Sequence, residues 1–355
     1  MPPKAVPKYH QLREHIRERI QRGELKSGDQ LPSEHMLAKE FGLSRHTIRQ
    51  ALGDLENEGL VYREQGRGTF CARGKGRTIA VITTYISEYI FPSVIRGIED
   101  VLSAAGYALV LANTANDKAK EALCLENLLQ REIAGLIVEP TKSARENVNL
   151  GHYREIERRK LPYVMIHATY GELEPAYIVM DDERGGYMAA QYLLQLGHRR
   201  IAGVFKADDL QGVRRQAGFT AALRDYGLAL APELLGNYET EQMSSFPYQF
   251  VHGLLQQAER PTAIVCYNDQ IALTVLEAIR ENGLRVPEHI SVVGYDDSSL
   301  AVSTETKLTT IRHPKTEMGR QAARFILDML GGRVTKPRFV YQPELVIRSS
   351  CRACR

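Results

Sequence analysis

No apolar run in this chain approaches the roughly 20 residues that a membrane-spanning helix needs, so helical membrane insertion is not expected. The opening stretch MPPKAVPKYHQLREHIRERI has no apolar h-region, which points away from a secretory signal. Cysteine is scarce: Cys71, Cys124, Cys266, Cys351 and Cys354 are an odd set at scattered spacings. That excludes a disulfide scaffold and reads as a reduced, cytoplasmic chain. Phosphate cradles are missing as well. There is no GxGxxG, and the nearest approach to a Walker A sequence, Gly68 to Gly74-Lys75, has the wrong spacing and no Ser or Thr after the lysine. No GxSxG elbow is present and His167 has no nucleophile beside it, so no catalytic residue and no enzyme are expected. The pair Cys351-x-x-Cys354 stands alone on a basic tail, so neither a metal nor another cofactor is expected.

What is present is length and an ordinary globular composition. At roughly 150 residues per domain, 355 residues imply two to three domains. Charged residues make up 25% and hydrophobic residues 43%, values usual for a folded soluble protein. The charge is unevenly placed. Residues 1–77 carry 15 Lys and Arg against 10 Asp and Glu, a net of +5; the rest carries 31 against 33, a net of −2. A small basic head on a near-neutral body suits a polyanionic partner.

Within the head, Leu12, Ile16 and Ile20 recur every four residues and predict a helix over 9–22, stopped by Gly23. Ser33 is placed to cap a short second helix carrying Met36, Leu37 and Phe41 inward and ending at Gly42. Ser44 is placed to cap a third, running to about Glu58 with Gly59 beyond its end. Ile48, Ala51, Leu52 and Leu55 share its inner face; Arg45, Arg49, His46 and Gln50 lie outside. Two helices joined by a tight turn, the second exposing Arg, His and Gln, make a helix-turn-helix. A helix fits the major groove, where Arg grips guanine bidentately and Gln grips adenine. A solvated helix face is the bland alternative for Arg45 and Arg49. LVYREQGRGTF then alternates around Gln65-Gly66-Arg67, which predicts a hairpin, or wing.

These residues resemble the GntR-type winged helix: Leu31-Pro32-Ser33-Glu34, Phe41-Gly42-Leu43-Ser44-Arg45-His46-Thr47-Ile48-Arg49, Leu55-x-x-x-Gly59-Leu60 and Gly66-Arg67-Gly68-Thr69-Phe70. The resemblance implies contacts to double-stranded DNA from His35, Arg45, His46, Arg49 and the wing, with Gln65, Gly66 and Arg67 at its tip; Lys8 and Tyr9, at the start of the first helix, are candidates for extra backbone contacts, and Ser44 and Thr47 are further candidates. His35 departs from the family, which often has Arg there.

A basic stretch over 72–77 reads as a linker between a domain at 1–71 and a body at 78–350. In the body, short β-rich runs alternate with helical patterns: TIAVITT, YALVLAN, GLIVEP, YVMIHA, YIVMDD, IAGVF, TAIVCYN and ISVVGYD. This predicts parallel sheets covered by helices on both faces, enough for two lobes. Ligands of such sheets bind beyond the carboxyl ends of the strands. The polar groups there are Glu88 and Tyr89, Glu139, His167, Asn268 and Asp296, with Arg215 early in a helix and Phe91 nearby. Carboxylates, an amide and an arginine beside aromatic rings suit a neutral polyhydroxy ligand, whose hydroxyls need both donors and acceptors. A satisfied wall histidine at His167, and a salt-bridged hinge of Arg215, Asn268 and Asp296, are the structural alternatives. His198 reads as structural.

The body resembles the LacI/GalR-type effector domain through Phe91-Pro92-x-x-Ile95-x-Gly97-Ile98-Glu99, Gly135-Leu136-Ile137-Val138-x-Pro140, Arg215-x-x-Gly218-Phe219, Asn268-Asp269-x-x-Ala272, Val292-Val293-Gly294-Tyr295-Asp296 and Leu308-Thr309-Thr310-Ile311-x-x-Pro314. The resemblance implies a two-lobed periplasmic-binding-protein-like α/β fold and ligand contacts from Arg215, Asn268 and Asp296. His167 stands where Asp is commoner, and Glu139 where some relatives carry Asn. Lobe 1 is expected at about 78–180 and 310–336, lobe 2 at about 181–309 and 337–350, with crossings near 181, 309 and 337. The pairing of head and body, with ITTYISEYIFPSVIRGIE after the first strand, resembles the arabinose-responsive repressors of Gram-positive bacteria. That resemblance implies a homodimeric repressor of sugar-utilisation genes on a palindromic operator, released by a monosaccharide, L-arabinose. Another pentose or hexose, or a purine-like metabolite, is the alternative effector.

Overall fold

A computed structural model of the chain describes residues 8–22, 24–26, 28–71 and 77–354. Gly23 and residues 72–76 of the expected linker lie outside the described residues. An N-terminal unit, Met1–Thr78, separates from a larger unit that begins at Ile79.

The N-terminal unit is a winged helix-turn-helix. Helix α1 (Lys8–Gln21) buries Leu12 and Ile16 on the face that their four-residue spacing creates. In α2 (Glu34–Phe41) the Ser33 hydroxyl accepts the Met36 amide at 3.3 Å, and Gly42 ends the helix at φ 61°. Helix α3 (Arg45–Asn57) is capped in the same way by Ser44, which accepts the Thr47 amide at 3.1 Å. Caps of this kind contribute about 1 kcal/mol each by satisfying amides that have no helical partner. Ile48, Ala51, Leu52 and Leu55 of α3 are fully buried against Leu12, Leu37 and Val61. Met36, expected inward, is 60% exposed. Leu37 and Phe41, four residues apart, define the inner stripe of α2, and Met36 is rotated away from it. Strands β1 (Val61–Glu64) and β2 (Gly68–Cys71) pair antiparallel, with Tyr62 opposite Phe70.

The larger unit has two α/β lobes. Lobe 1 contains β3 (Thr78–Thr83), α4 (Phe91–Ala104), β4 (Ala108–Asn113), α5 (Lys118–Leu129), β5 (Gly135–Val138), α6 (Leu150–Arg158), β6 (Tyr163–Ile166) and β7 (Ala176–Met180). Lobe 2 contains α7 (Asp182–Gln195), β8 (Ile201–Lys206), α8 (Leu210–Asp225), β9 (Leu235–Tyr238), α9 (Phe246–Leu255), β10 (Ala263–Cys266), α10 (Asp269–Glu281), β11 (Ser291–Asp296), α11 (Leu300–Ser303) and β12 (Thr309–Arg312). The chain then returns to lobe 1 for α12 (Lys315–Leu330) and β13 (Arg338–Tyr341), and ends in lobe 2 with β14 (Glu344–Val346). The strand orders are β13-β7-β6-β5-β3-β4 and β14-β12-β11-β10-β8-β9. In the second of these sheets β12 and β14 pair antiparallel and the other neighbours run parallel. In the first, the strands from β13 through β3 pair parallel in turn. Strands β5, β6, β8, β10 and β11 are buried along their whole length, as helices on both faces require.

The first crossing falls at Asp181, as expected. The other two are displaced from 309 and 337. β12 stays in lobe 2 because Thr309–Arg312 pairs with Val293–Asp296, and β13 stays in lobe 1 because Arg338–Tyr341 pairs with Tyr177–Met180. The chain therefore crosses at 313–314 and at 342–343, after each strand rather than before it.

Helices α7 and α8 meet through two glycines. A Cβ on Gly218 would lie 1.8 Å from the Glu183 carbonyl oxygen, and one on Gly186 would lie 2.0 Å from that of Arg215. Only glycine permits this approach, and it seats Arg215 beside the lobe boundary.

Candidate functional site

Two surfaces carry the residues singled out in the sequence. In the N-terminal unit, His35, Ser44, Arg45, His46, Arg49, Gln65, Gly66 and Arg67 are exposed and Thr47 is half-buried. Arg45 reaches His35 (Nη2 to Nδ1, 3.2 Å), so the starts of α2 and α3 form one surface. Arg49 donates from Nε to the Glu34 carboxylate at 2.9 Å. Arg63 of the wing donates to the Arg49 carbonyl oxygen at 2.9 Å, fastening the hairpin to α3. Gln30 donates to the Arg67 carbonyl oxygen at 2.6 Å and steadies the wing tip. Arg67 pairs with Glu64 and lies over the Phe70 ring. Three candidates also have structural work. Ser44 and Thr47 bond to one another (2.8 Å) at the helix cap, and Tyr9 packs half-buried on the core with Arg13 over its ring. The Lys8 side chain lies outside what the structure describes.

The second surface is a cleft between the lobes, with a cavity of about 70 Å³ at its heart. Glu88, Tyr89, Phe91, Glu139, His167, Arg215, Asn268 and Asp296 all line it. They converge because β5, β6, β10 and β11 all end here. Glu139 and His167 follow β5 and β6, Asn268 follows β10 by two residues, and Asp296 closes β11. Backbone strain marks the same places: Tyr89 (φ 53°), His167 (φ 66°), Asp296 (φ 95°) and Asp297 (φ 47°) adopt left-handed conformations that L residues rarely take.

On the lobe 1 wall, His167 Nδ1 lies 2.9 Å from Glu139 Oε1. The other Glu139 oxygen accepts the Thr84 amide (2.9 Å) and hydroxyl (2.7 Å). Burial works to raise the Glu139 carboxyl, but the facing His167 and the Thr84 donors outweigh it and hold it below the usual carboxylate range. Phe91 and His313 pack edge-on against the His167 ring. Burial pushes the His313 imidazole well down, so it is neutral.

On the lobe 2 wall, Arg215 is held by Asp182 (Nε to Oδ1, 2.8 Å) and the Tyr267 carbonyl (2.7 Å), and its Nη2 lies 3.6 Å from Asp296 Oδ1. Its guanidinium stacks 3.5 Å over the Tyr295 ring. Burial opposes its charge, but Asp182 and Asp296 keep it firmly protonated. Arg215, Asp182 and Asp296 thus form a buried ion cluster in the cleft wall, and Asn268 stands outside it. Asn268 Oδ1 caps α10 by accepting the Ile271 amide at 2.9 Å, which leaves its amide nitrogen for other partners. Three buried atoms of cleft residues have no hydrogen-bond partner among the described residues: His167 Nε2, His313 Nδ1 and Asp296 Oδ1.

Sequence reasoning missed Lys206, Asp209, Asp182 and His313, which also line the cleft. Lys206 ends β8, so the strand-end rule could have found it. Asp182 and His313 sit at the first and second crossings, and only the folded chain brings them here.

The lobes also meet around the cleft. The Tyr89 hydroxyl donates to Asp296 Oδ2 (2.7 Å) and accepts the Asp269 amide (3.2 Å). Asn116 reaches Thr240 (2.6 Å), Ser143 accepts the Leu210 amide (2.9 Å), and Lys142 and Arg145 pair with Glu241 and Glu239.

A winged helix-turn-helix and a two-lobed domain with a polar interlobe cleft define a DNA-binding regulator with a ligand-responsive domain. Comparison with known proteins agrees. Residues 8–71 match bacterial regulatory proteins of the gntR family, and residues 190–351 match the periplasmic binding protein-like domain. The chain is 48% identical to the arabinose metabolism transcriptional repressor of Geobacillus stearothermophilus over 99% of both chains. A solved regulator CelR–cellobiose complex superposes with a TM-score of 0.70 at 25% identity, covering 90% of this chain and all of that one. A LacI family regulator from Enterococcus faecium with bound ribose gives 0.67 at 27% identity over 78% of this chain and all of that one. The chain belongs to the family of the arabinose metabolism transcriptional repressors: it is a DNA-binding transcriptional regulator with a sugar-binding effector domain.

Proposed function

We propose that this regulator represses sugar-utilisation genes and is released from its operator by L-arabinose bound in the interlobe cleft. Three buried polar atoms without a hydrogen bond, on His167, His313 and Asp296, carry this reading. A wall with buried donors and acceptors left over, beside an intact Glu139–His167 pair and a charge-balanced Arg215, suits a small neutral molecule bearing hydroxyls on several faces. The Phe91 ring supplies an apolar face for a sugar's C–H groups. The near full-length likeness to a repressor named for arabinose metabolism supports the choice of sugar.

In this scheme the protein acts in the cytoplasm as a homodimer whose two heads read the half-sites of a palindromic operator. Lys8, Tyr9, His35, Arg45, His46, Arg49, Gln65, Gly66 and Arg67 face the DNA, with Ser44 and Thr47 presenting the start of α3. Sugar favours the closed lobes, and closure lowers operator affinity; by linkage, operator lowers sugar affinity by the same factor. The scheme needs no cofactor and no catalytic step.

Isothermal titration with L-arabinose, beside D-xylose, D-galactose and D-ribose, tests it. Selective heat with L-arabinose in the micromolar range is expected. Heat with a different sugar would overturn the choice of effector. Silence with all four would overturn the sugar reading and favour a purine-like metabolite.

A further inference from the structure

We infer that Lys315 is a positioning residue for the effector site: reaching from lobe 1, it fixes the left-handed Asp296–Asp297 corner of lobe 2 and so presents the Asp296 carboxylate to the ligand. The inference rests on the sugar-binding reading of the cleft.

Asp296 ends β11, and the corner it forms with Asp297 is where groups from all three crossings gather. From the first crossing, Asp182 orients Arg215, whose Nη2 lies 3.6 Å from Asp296 Oδ1. From the second, Arg312 reaches Asp297 Oδ2 at 3.4 Å. From beyond the third, Arg348 donates to Asp297 Oδ1 at 2.5 Å. These arginines hold the Asp297 side chain. The backbone of the corner is held in part from within lobe 2, where the Asp297 amide donates to Thr310 Oγ1 at 3.3 Å, in part by the His313 amide, which donates to the Asp296 carbonyl oxygen at 3.4 Å, and above all by Lys315.

Lys315 opens α12, which packs on α4 and under the sheet of lobe 1. Its Nζ donates to the carbonyl oxygens of Asp296 (2.5 Å), Asp297 (2.8 Å) and His313 (3.3 Å). An ammonium group has three hydrogens, and here each has a carbonyl acceptor. Two of those carbonyls belong to consecutive residues with positive φ, 95° and 47°. Aspartate enters the left-handed region more readily than most residues, but two such residues in succession, one of them at φ 95°, are kept there by their surroundings. The ammonium does so by drawing both carbonyls to one point. The side-chain consequence follows directly. With the Asp296 backbone fixed, Oδ2 receives the Tyr89 hydroxyl and Oδ1 stays without a hydrogen bond at the cleft wall. Without the ammonium, the corner is free to relax toward an ordinary conformation, which swings the carboxylate off both alignments. Lys315 itself does not line the cleft, so any effect on the ligand passes through Asp296.

The test compares Lys315→Met and Lys315→Arg with the wild type in the full-length protein. Two readouts are used: titration with L-arabinose, and hydrogen–deuterium exchange over residues 291–299. Lys315→Met is expected to weaken L-arabinose binding at least tenfold and to speed exchange in that segment. Exchange in the outer helices and operator affinity without sugar stay as in the wild type. Lys315→Arg, which keeps donors at the site, is expected to recover most of the binding. A merely structural lysine would lower the melting temperature and leave sugar affinity and local exchange alike; that result overturns the proposal. Should the wild type bind no L-arabinose, the effector reading fails and exchange alone decides on Lys315: faster exchange supports the positioning role, unchanged exchange removes it. If Lys315→Met does not fold, Lys315→Gln is read in the same way.

Discussion

Tyr89 and Asp296 stand on opposite lobes and share one hydrogen: the phenol donates to the carboxylate at 2.7 Å. Burial and the Asp296 charge push the phenol well above its usual range, so it remains the donor. A hydrogen bond to a charged acceptor contributes about 1.5–3 kcal/mol. This one spans the two lobes, so moving them apart would break it. Tyr89→Phe keeps the ring and removes the bond. We expect an apparent affinity for L-arabinose about tenfold weaker by titration, with operator affinity in the absence of sugar unchanged. Equal sugar affinity in both proteins would show that the bond does not contribute to closure.

The glycine contact between α7 and α8 makes a second prediction. A methyl group on Gly186 would press on the carbonyl of Arg215 itself, at 2.0 Å. Overpacking of this kind costs about 1–3 kcal/mol. The strain is relieved by moving α8, which takes Arg215 away from Asp182 and Asp296. Gly186→Ala should therefore lower both the melting temperature and the sugar affinity. Gly253, inside α9, is the control: a Cβ there meets nothing within 4 Å, so Gly253→Ala should leave sugar affinity unchanged and, alanine being the better helix former, should not lower the melting temperature. Thermal unfolding and titration of both variants check the pair.

Much of this site is legible in the sequence because it follows a topological rule. Parallel strands deliver their ends to one edge, so the polar residues after GLIV, YVMI, IVCY and VVGY group together on the sequence pattern alone. The helix caps Ser33 and Ser44 are equally local, each set by a hydroxyl and an amide three residues on. What escapes depends on distant pairing. The second and third crossings shift because TTIR joins β11, and RFVY joins β7, across more than 100 residues of sequence in the latter case. Strand β9, LGNY, has no β-branched residue to announce it and exists by pairing with β8. The Glu34–Arg49 pair and the support from Arg63 link separate elements of the head, and no local pattern encodes them.

Asp269 supplies a pH signature. Burial and the neighbouring Asp296 push its carboxyl up to about 7, although Ser298 and Thr310 donate to it. In the unfolded chain the group titrates near 3.9. Between these values the native state holds a proton that the unfolded state has lost. Its contribution is therefore fully present below about pH 4 and is lost as pH rises through 7. The slope is at most about 1.4 kcal/mol per pH unit. Denaturant unfolding from pH 4.5 to 7.5 should show this decline superposed on the other groups. Asp269→Asn should flatten that component whatever its absolute stability. An identical pH dependence in the two proteins would mean that Asp269 is ionised throughout.

Arg49 is the most informative residue of the head. It is well exposed on the outer face of α3, and its Nε is held by Glu34 at 2.9 Å. Its backbone carbonyl is gripped by Arg63. The guanidinium is thus aimed before DNA arrives, which lowers the ordering cost of contact. Its planar fork suits a guanine edge. Losing one such contact costs about 1–3 kcal/mol, or about five- to 150-fold in affinity. Arg49→Ala should weaken specific operator binding by that amount in a fluorescence-anisotropy titration, and the loss should shrink on non-specific DNA. A phosphate contact would behave differently: it would weaken both DNAs alike and reduce the salt slope of log affinity by about one. Sugar affinity in the absence of operator should not change in either case, because the effector cleft is built wholly within the larger unit. A parallel loss of sugar binding would indicate misfolding and withdraw Arg49 from the recognition surface.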